Sequence, residues 1–344
     1  KKRKRYLDKR AWCIAHPRLK SKRPLHHTAK QKTQRGEYRV LHAPKLFTLY
    51  VKKHRKILLE LIERMRTCLT RKIPIKIDFS GTEQMHSCGT LLFFSELDRC
   101  REIAGGKLLV QCTPPKNQKV AQVLKQVGIF DLLNFTQAIE PTFEDVVHWR
   151  IAKGHEVDGK QFDNILGEYE GRVADALFSG LYVGISEAMT NCHQHAYIKT
   201  RKDGLGYKEA QKNWWMFSQQ KDDGLSVVFC DLGVGIPETL PEQRPEIWEK
   251  IVSLGKTRHD GHIIKEAVCS TLSRTRQPHR GKGLKQLLDA AQKSNGQLRI
   301  YSNRGCYTSE KENEHVSKFR NNIMGTLIQW FVPMEQESFN DENH

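Results

Sequence analysis

Apolar and polar positions in the first half of the chain follow the pattern of a parallel α/β unit. Between residues 50 and 70, apolar side chains recur at helical spacing and basic side chains fill the other face, which predicts an amphipathic helix. Residues 73–79 predict a strand, 90–104 a helix that ends at a Gly-Gly pair, and 107–112 a second strand. A strand, a helix and a strand at this spacing predict parallel pairing, and a further helix over 117–127 closes the unit.

The second half groups its helices and strands into separate runs. A long helix is predicted over 173–197, followed by strands over 214–218 and 225–231, a helix-rich insertion, a helix opening at Gly281, and strands over 297–302 and 325–332. The fold class is therefore α/β followed by α+β, the second part being a sheet with helices on one face. The expected organisation is a basic arm (1–40), an α/β domain (41–140), a connector (141–167), an α+β sandwich (168–335) and a polar tail (336–344).

Charge is concentrated at the start of the chain. Of a net charge of +18, residues 1–40 contribute +13, because they hold 15 Lys or Arg against only Asp8 and Glu37. Such an arm either follows a nucleic-acid backbone or is a solvated tail, and the sequence leaves both open. With 38% apolar residues, no apolar run long enough to cross a bilayer and no secretion signal, a cytoplasmic protein is expected. Nine scattered cysteines without a CxxC pair argue against a zinc or disulfide framework.

A polar stripe marks the long helix. Glu187, Asn191 and His195 are spaced four residues apart, so they lie along one helix face. A carboxylate there can take a proton from water, and an amide oxygen one turn away can bind Mg²⁺. A solvated helix face is the alternative interpretation of the same spacing.

Asp231 ends an apolar strand and is followed directly by Gly233 and Gly235. A carboxylate at the end of a buried strand needs a donor, and the exocyclic amine of adenine is a suitable one. The two glycines would let the backbone approach a base and its ribose. A turn without special purpose is the alternative.

Two further elements complete the pattern. Gly281, Lys282 and Gly283 open a helix, where exposed backbone N–H groups and the helix dipole favour a phosphate. Thr326 begins the final strand, where its hydroxyl can support Asp231.

Together, in this order, the four elements resemble the conserved boxes of the GHKL superfamily of ATP-binding domains, found in histidine kinases, gyrase B and MutL. The string EAMTNCHQHAY is similar to that of the anti-sigma-factor serine kinases, and DLGVGIP to that of gyrase B. The resemblance covers roughly residues 170–334 and implies ATP and Mg²⁺ as cofactors.

The resemblance also implies a role for each matching residue. Glu187 would be the general base or the water-orienting residue, Asn191 the Mg²⁺ ligand, and Asp231 the adenine-binding acid. Gly233, Gly235 and Thr326 would surround the base, while Gly281, Lys282 and Gly283 would hold the phosphates. For His195, a packing role and a catalytic role stay open.

The N-terminal unit resembles, more loosely, the STAS fold of anti-sigma-factor antagonists. In that family a strand leads to an Asp-Ser-Ser-Gly loop before a helix, whereas this chain has His86-Ser87-Cys88-Gly89. Ser87 is the one hydroxyl left in the loop and hence the candidate phospho-acceptor, and an interaction module without covalent chemistry is the alternative.

Three functions follow from these patterns. The first is an Mg²⁺-dependent ATPase that acts as a nucleotide-driven conformational switch in a regulatory or defence system, with a protein partner as its reader. The second is a serine/threonine protein kinase of the anti-sigma type that acts on a STAS-domain partner or on its own N-terminal domain. The third is a non-enzymatic scaffold that binds nucleic acid or protein through residues 1–40. A homo-oligomer is compatible with all three.

Overall fold

The computed structural model describes most of the chain from Tyr38 onward. The described residues are 38–105, 109–170, 173, 175–205, 212–221, 224–270, 285, 288–289, 291–292, 296–311 and 313–334. Contacts group these described residues into one unit. None of the helices in these ranges is long and apolar enough to cross a lipid bilayer.

The N-terminal part combines short parallel strands with helices. Its helices are α1 (Lys52–Thr70), α2 (Ser87–Ile103), α3 (Gln118–Gln126), α4 (Ile129–Leu132) and α5 (Glu144–Val147). Its strands are β1 (Arg39–His42), β2 (Leu46–Phe47), β3 (Ile75–Asp78), β4 (Gln84–Met85) and β5 (Val110–Thr113). Strands β1, β3 and β5 form a three-stranded sheet in that order, and β2 pairs with β4. The predicted parallel pairing of β3 with β5 across α2 is confirmed.

The C-terminal part is built on a seven-stranded sheet. Its strands are β6 (Trp149–Gly154), β7 (Trp214–Lys221), β8 (Gly224–Asp231), β9 (Gln297–Ser302), β10 (Gly305–Glu310), β11 (Asn313–Lys318) and β12 (Thr326–Pro333). Their order is β11-β10-β9-β12-β8-β7-β6, and every neighbouring pair is antiparallel. The helices are α6 (Gly159–Leu166), α7 (Asp175–Asn191), α8 (Ile236–Gln243), α9 (Pro245–Ser253) and α10 (Asp260–Cys269).

The expected connector, 141–167, is part of this architecture. It contains β6, which pairs with β7 and forms one edge of the seven-stranded sheet. Strand β6 has only six residues and mixes polar with apolar ones, so the sequence of this segment carries no strand periodicity. Residues 141–167 therefore contribute a strand to the sheet as well as linking the two halves.

Both faces of the seven-stranded sheet are covered, whereas helices on one face only were expected. Every residue of β8 is buried, because side chains alternate between two hydrophobic clusters. Trp214 belongs to the cluster that includes residues of α7, and its neighbour Trp215 to the cluster that includes residues of α2. Helix α2 covers the second face. It lies more than a hundred residues before β7 and β8 in the chain, so the periodicity of these strands does not indicate which element packs on them.

Helix α2 is the element shared by the two halves. On this helix, the ring of Phe93 packs against that of Phe47 on β2, with ring centroids 5.3 Å apart. The ring of Phe94 packs against that of Phe217 on β7, with centroids 5.7 Å apart. The indole N–H of Trp215 donates to the carboxylate of Asp98 on the same helix at 2.8 Å. A helix that is buried nearly all round must have neighbours on both sides, and α2 has them.

Candidate functional site

One cavity in the C-terminal half brings together side chains from three separate stretches of sequence. Glu187 and Asn191 line it from the end of α7 and His195 from the turn that follows, Asp231 from the end of β8, and Thr326 from the start of β12. The remaining walls come from α8 and α10 and from apolar sheet residues, namely Ile236, Thr239, Leu240, Gln243, Ala267, Val268, Phe229 and Ile328. The structure therefore places the polar stripe of the long helix and the buried acid around the same space.

The long helix ends differently from its prediction. Regular α-helix stops at Asn191, and Cys192–Ala196 form a π-helical turn. Such wide turns are rare in proteins, and those that occur are often found at functional sites. Despite the change of pitch, His195 still lines the cavity together with Glu187 and Asn191.

His195 is partly buried where it lines the cavity. Burial lowers its pKa from the ordinary value, and the backbone hydrogen bond at Gln194 opposes this only in part. Among the described residues, its Nδ1 atom is buried without a hydrogen-bond partner. A buried nitrogen without a hydrogen-bond partner is energetically costly.

Asp231 is held by donors from two directions. The backbone N–H of Gly233 donates to its Oδ1 at 2.9 Å, and the N–H and hydroxyl of Thr326 also hydrogen-bond to the carboxylate. Thr326 can do this because β12 pairs with β8 in a register that sets it opposite Asp231. Burial nevertheless raises the pKa of Asp231 to about 6, and the hydrogen bonds and the positive charge of Arg201 limit the rise.

The raised pKa predicts a dependence of stability on pH. The folded state holds this proton more tightly than the unfolded chain, whose pKa is near the ordinary 3.8. The stabilisation is therefore complete below pH 3.8 and is lost as pH rises through about 6. The expected loss is about 3 kcal/mol, at about 1.4 kcal/mol per pKa unit.

This dependence is measured by urea denaturation of the wild type and of Asp231→Asn at a series of pH values. The wild type should lose stability relative to the variant between about pH 4 and about pH 7. A difference between the two proteins that stays constant over this range would show that Asp231 is ionised normally in the folded state.

The glycines after Asp231 fit the loop into a narrow space. A Cβ on Gly233 would lie 2.2 Å from the carbonyl oxygen of Ala196, and Val234 N–H donates to that same oxygen at 2.8 Å. Gly235 has a φ of 82°, and a Cβ there would lie 2.7 Å from Asn303 Oδ1. Gly235 lines the cavity, whereas Gly233 is not among the lining residues and packs against the π-helical turn instead.

Ser302 is a supporting residue that the sequence did not single out. Its hydroxyl lies 3.2 Å from that of Thr326, accepts the backbone N–H of Ile236 at 2.9 Å and donates to the carbonyl of Gly325 at 3.1 Å. It therefore connects the loop after Asp231 to the strand that carries Thr326. No sequence motif near Ser302 indicates this supporting role.

Arg244 is a second residue that sequence reasoning missed. It lines the cavity at the end of α8, and its Nε donates to Glu246 at 2.7 Å. Its Nη2 is buried and has no hydrogen-bond partner in the described part of the chain. An isolated arginine before a proline carries no spacing signal, so only the position of α8 shows that this guanidinium belongs to the cavity.

Gly281, Lys282 and Gly283, the predicted phosphate-binding residues, lie outside the described residues. Their expected role stays a prediction.

Ser87, the candidate phospho-acceptor, lies at the first position of α2 and is 3% exposed. Its hydroxyl is 3.0 Å from that of Ser226 on β8, and the amide of Gln329 on β12 donates to it at 3.3 Å. In this conformation a kinase has no access to Ser87. Its contacts instead attach the start of α2 to the seven-stranded sheet.

A buried ionic cluster, formed by Arg66, Glu96, Arg99, Arg201 and Asp203, lies between the helices of the N-terminal half and the segment after the π-helical turn. Glu96 is fully buried on α2 and pairs with Arg201, while Arg66 of α1 lies 3.5 Å from the same carboxylate. Asp203 lies 2.5 Å from Arg99 and 3.5 Å from Arg201. The positive charge of Arg201 opposes the rise that burial causes in the pKa of Asp231. The cluster is therefore electrostatically linked to the cavity.

The cavity holds a buried carboxylate and an amide side chain within the same space. Asp231 presents a buried acceptor that lacks a charged partner in direct contact among the described residues, and Asn191 presents an amide oxygen of the kind that Mg²⁺ binds. The chain matches no protein-family model and no curated protein.

Proposed function

We propose that this chain is an Mg²⁺-dependent ATPase of the GHKL type that acts as a nucleotide-driven conformational switch in a regulatory or defence system. The observation that carries the proposal is the shared cavity of Glu187, Asn191, Asp231 and Thr326. These residues come from distant parts of the sequence, and the sequence patterns predict a role in nucleotide binding or hydrolysis for each of them. A solvated helix face would not turn Glu187 and Asn191 towards a buried acid.

Each cavity residue has a role under this proposal. Asp231 would accept the exocyclic amine of adenine, with Thr326 orienting the carboxylate and Gly235 leaving room for the base. Asn191 would hold Mg²⁺, which neutralises phosphate charge, and Glu187 would orient or deprotonate the attacking water. We further propose that Gly281, Lys282 and Gly283 bind the phosphates.

The buried ionic cluster supports the switch part of the proposal. Arg201 lies in the segment that directly follows the π-helical turn of the cavity, and it pairs with Glu96 on α2. A nucleotide that moves Asp231 or changes its charge would change the electrostatic energy of the Arg201 guanidinium. It would thereby change the strength of the Arg201–Glu96 contact with the STAS-like half. A protein partner that reads this half would complete the switch.

Replacing Glu187 by Ala tests the hydrolytic step. We expect ATP turnover to fall by about 100-fold or more, because a positioned general base typically contributes 10²–10⁴ in rate. The dissociation constant for ATP should change by no more than a few-fold, since Glu187 acts on the water. Turnover is followed with ATP labelled at the γ-phosphate, and affinity by calorimetry.

Glu249→Ala is the matched control, because Glu249 is exposed on α9 and does not line the cavity. It should leave both turnover and affinity unchanged. Equal turnover in the wild type and Glu187→Ala would remove Glu187 from the mechanism. Label that remains on protein instead of appearing as free phosphate would favour the kinase function.

A further inference from the structure

A second, polar cleft lies on the described surface, and it shares no lining residue with the candidate nucleotide cavity. Four separate stretches of chain supply its cations: Arg66 from α1, Lys202 from the segment after the π-helical turn, Arg304 from the β9–β10 turn, and Arg320 from the segment before β12. Arg66 is buried and its charge is met by Glu96 at 3.5 Å, so the exposed cations of the cleft are Lys202, Arg304 and Arg320. Like charges on a surface repel, so three exposed cations from distant sequence positions are an unusual grouping.

Few carboxylates offset these cations. Glu63 and Asp203 also line the cleft, but Asp203 is already paired with Arg99 and Arg201. Lys202, Arg304 and Arg320 are exposed, and their side chains form no ion pair within the described residues. The cleft therefore carries an excess of positive charge that is free to meet an anion.

The loop that bears Arg320 has a fixed shape. Met324 adopts a left-handed backbone conformation with φ of 58°, and Asn322 Oδ1 accepts its backbone N–H at 2.7 Å. Arg66 donates to the sulfur of Met324 at 3.0 Å. Left-handed backbone at a non-glycine residue persists only where the surroundings impose it, so these contacts hold the loop against α1 before any ligand arrives.

A smaller groove adjoins the cleft along α1. It is lined by Arg39, Glu60, Glu63, Arg64 and Thr67, and it shares Glu63 and Thr67 with the cleft. Arg39 begins β1, and the sequence that runs into it, residues 1–37, carries 14 Lys or Arg against Asp8 and Glu37. Glu60 and Glu63 balance Arg39 and Arg64 in the groove, which links the positive cleft to the point where the most basic part of the sequence ends.

We propose that the cleft and the adjoining groove bind the phosphate backbone of a nucleic acid. Both are lined mainly by charged and amide side chains, with Leu59 and Met324 as the apolar members. Protein partners are usually anchored by buried aromatic and aliphatic side chains, whereas nucleic-acid interfaces are polar and strongly positive. The proposal does not depend on ATP binding, because no cavity residue takes part.

The test is the salt dependence of binding by the full chain. A short fluorescent DNA duplex, and an RNA strand of the same length, are titrated between about 50 and 200 mM salt. The cleft variant Lys202→Ala/Arg304→Ala/Arg320→Ala is compared with the wild type. The three side chains are exposed, so the variant should keep its fold, which its melting temperature checks.

Lys116→Ala/Lys119→Ala/Lys125→Ala is the matched control, since it removes the same charge from α3 and the residues before it, outside both grooves. The cleft variant should lose on the order of tenfold or more in affinity, and its negative slope of log affinity against log salt should become shallower by about 2–3 for the duplex. The control should keep the wild-type slope. Equal losses in the two variants, no salt-dependent binding by the wild type, or preferential binding of poly-glutamate would each overturn the proposal.

Discussion

Replacing Glu96 by Ala should lower the free energy of unfolding by about 3–5 kcal/mol, because it takes the nearest carboxylate away from the buried Arg201 and leaves only Asp203 at 3.5 Å. Glu96 is 0% exposed and pairs with Arg201, which is itself 4% exposed, and with Arg66. Burial alone would raise the pKa of Glu96, but the neighbouring guanidinium groups outweigh it and the pKa is lowered. The carboxylate is therefore charged in the folded protein, and Arg201 depends on it.

Urea denaturation of Glu96→Ala, Glu96→Gln and Glu60→Ala measures the effect. Glu60 is the control, because it forms an exposed pair with Lys56 on α1 and should contribute about 0.5 kcal/mol or less. Glu96→Gln keeps the shape and one acceptor, so an intermediate loss is expected. If Glu96→Ala were as stable as Glu60→Ala, the cluster would not hold α2 to the segment that carries Arg201.

The parts of the fold that the sequence predicted are those with strong periodicity. The helices α1, α2 and α3, the strands β3, β5, β7, β8, β9 and β12, and the parallel pairing across α2 all follow apolar patterns that the core requires. Strands β1, β2 and β4 of the N-terminal half and strands β6, β10 and β11 of the seven-stranded sheet were missed. Two of these, β6 and β11, lie at the edges of the sheet, and the exposed positions of β11 carry polar side chains that resemble a loop.

The candidate site divides in a similar way. Glu187 and Asn191 were found from helical spacing, and Asp231 from its place at the end of an apolar strand, because both signals are local. Ser302, Arg201 and Arg244 were not found, since each reaches the site through the pairing of strands or the path of a loop. Likewise, the π-helical turn at Cys192–Ala196 has no sequence signal of its own, so helical spacing predicts a continuous helix there.

Replacing Asp231 by Asn should reduce ATP affinity by about 10- to 100-fold, since an unsatisfied buried donor costs about 1–3 kcal/mol. The carboxylate already receives hydrogen bonds from Gly233 and Thr326 and can accept one more from the adenine amine. Asparagine offers one acceptor oxygen, and its amide group would face these donors. GTP should bind weakly to the wild type, because its base presents a carbonyl oxygen to the carboxylate.

The most direct measurement is a thermal-shift titration of wild type and Asp231→Asn with ATP and with GTP, each with and without Mg²⁺. A ligand that binds only the folded form stabilises it by about 2.7 kcal/mol when present at 100 times its dissociation constant. The account predicts that ATP with Mg²⁺ raises the melting temperature of the wild type, that GTP does not, and that the variant needs far more ATP for the same rise. No rise with ATP, or an equal rise with GTP or in the variant, would contradict the assignment of this cavity to adenine nucleotides.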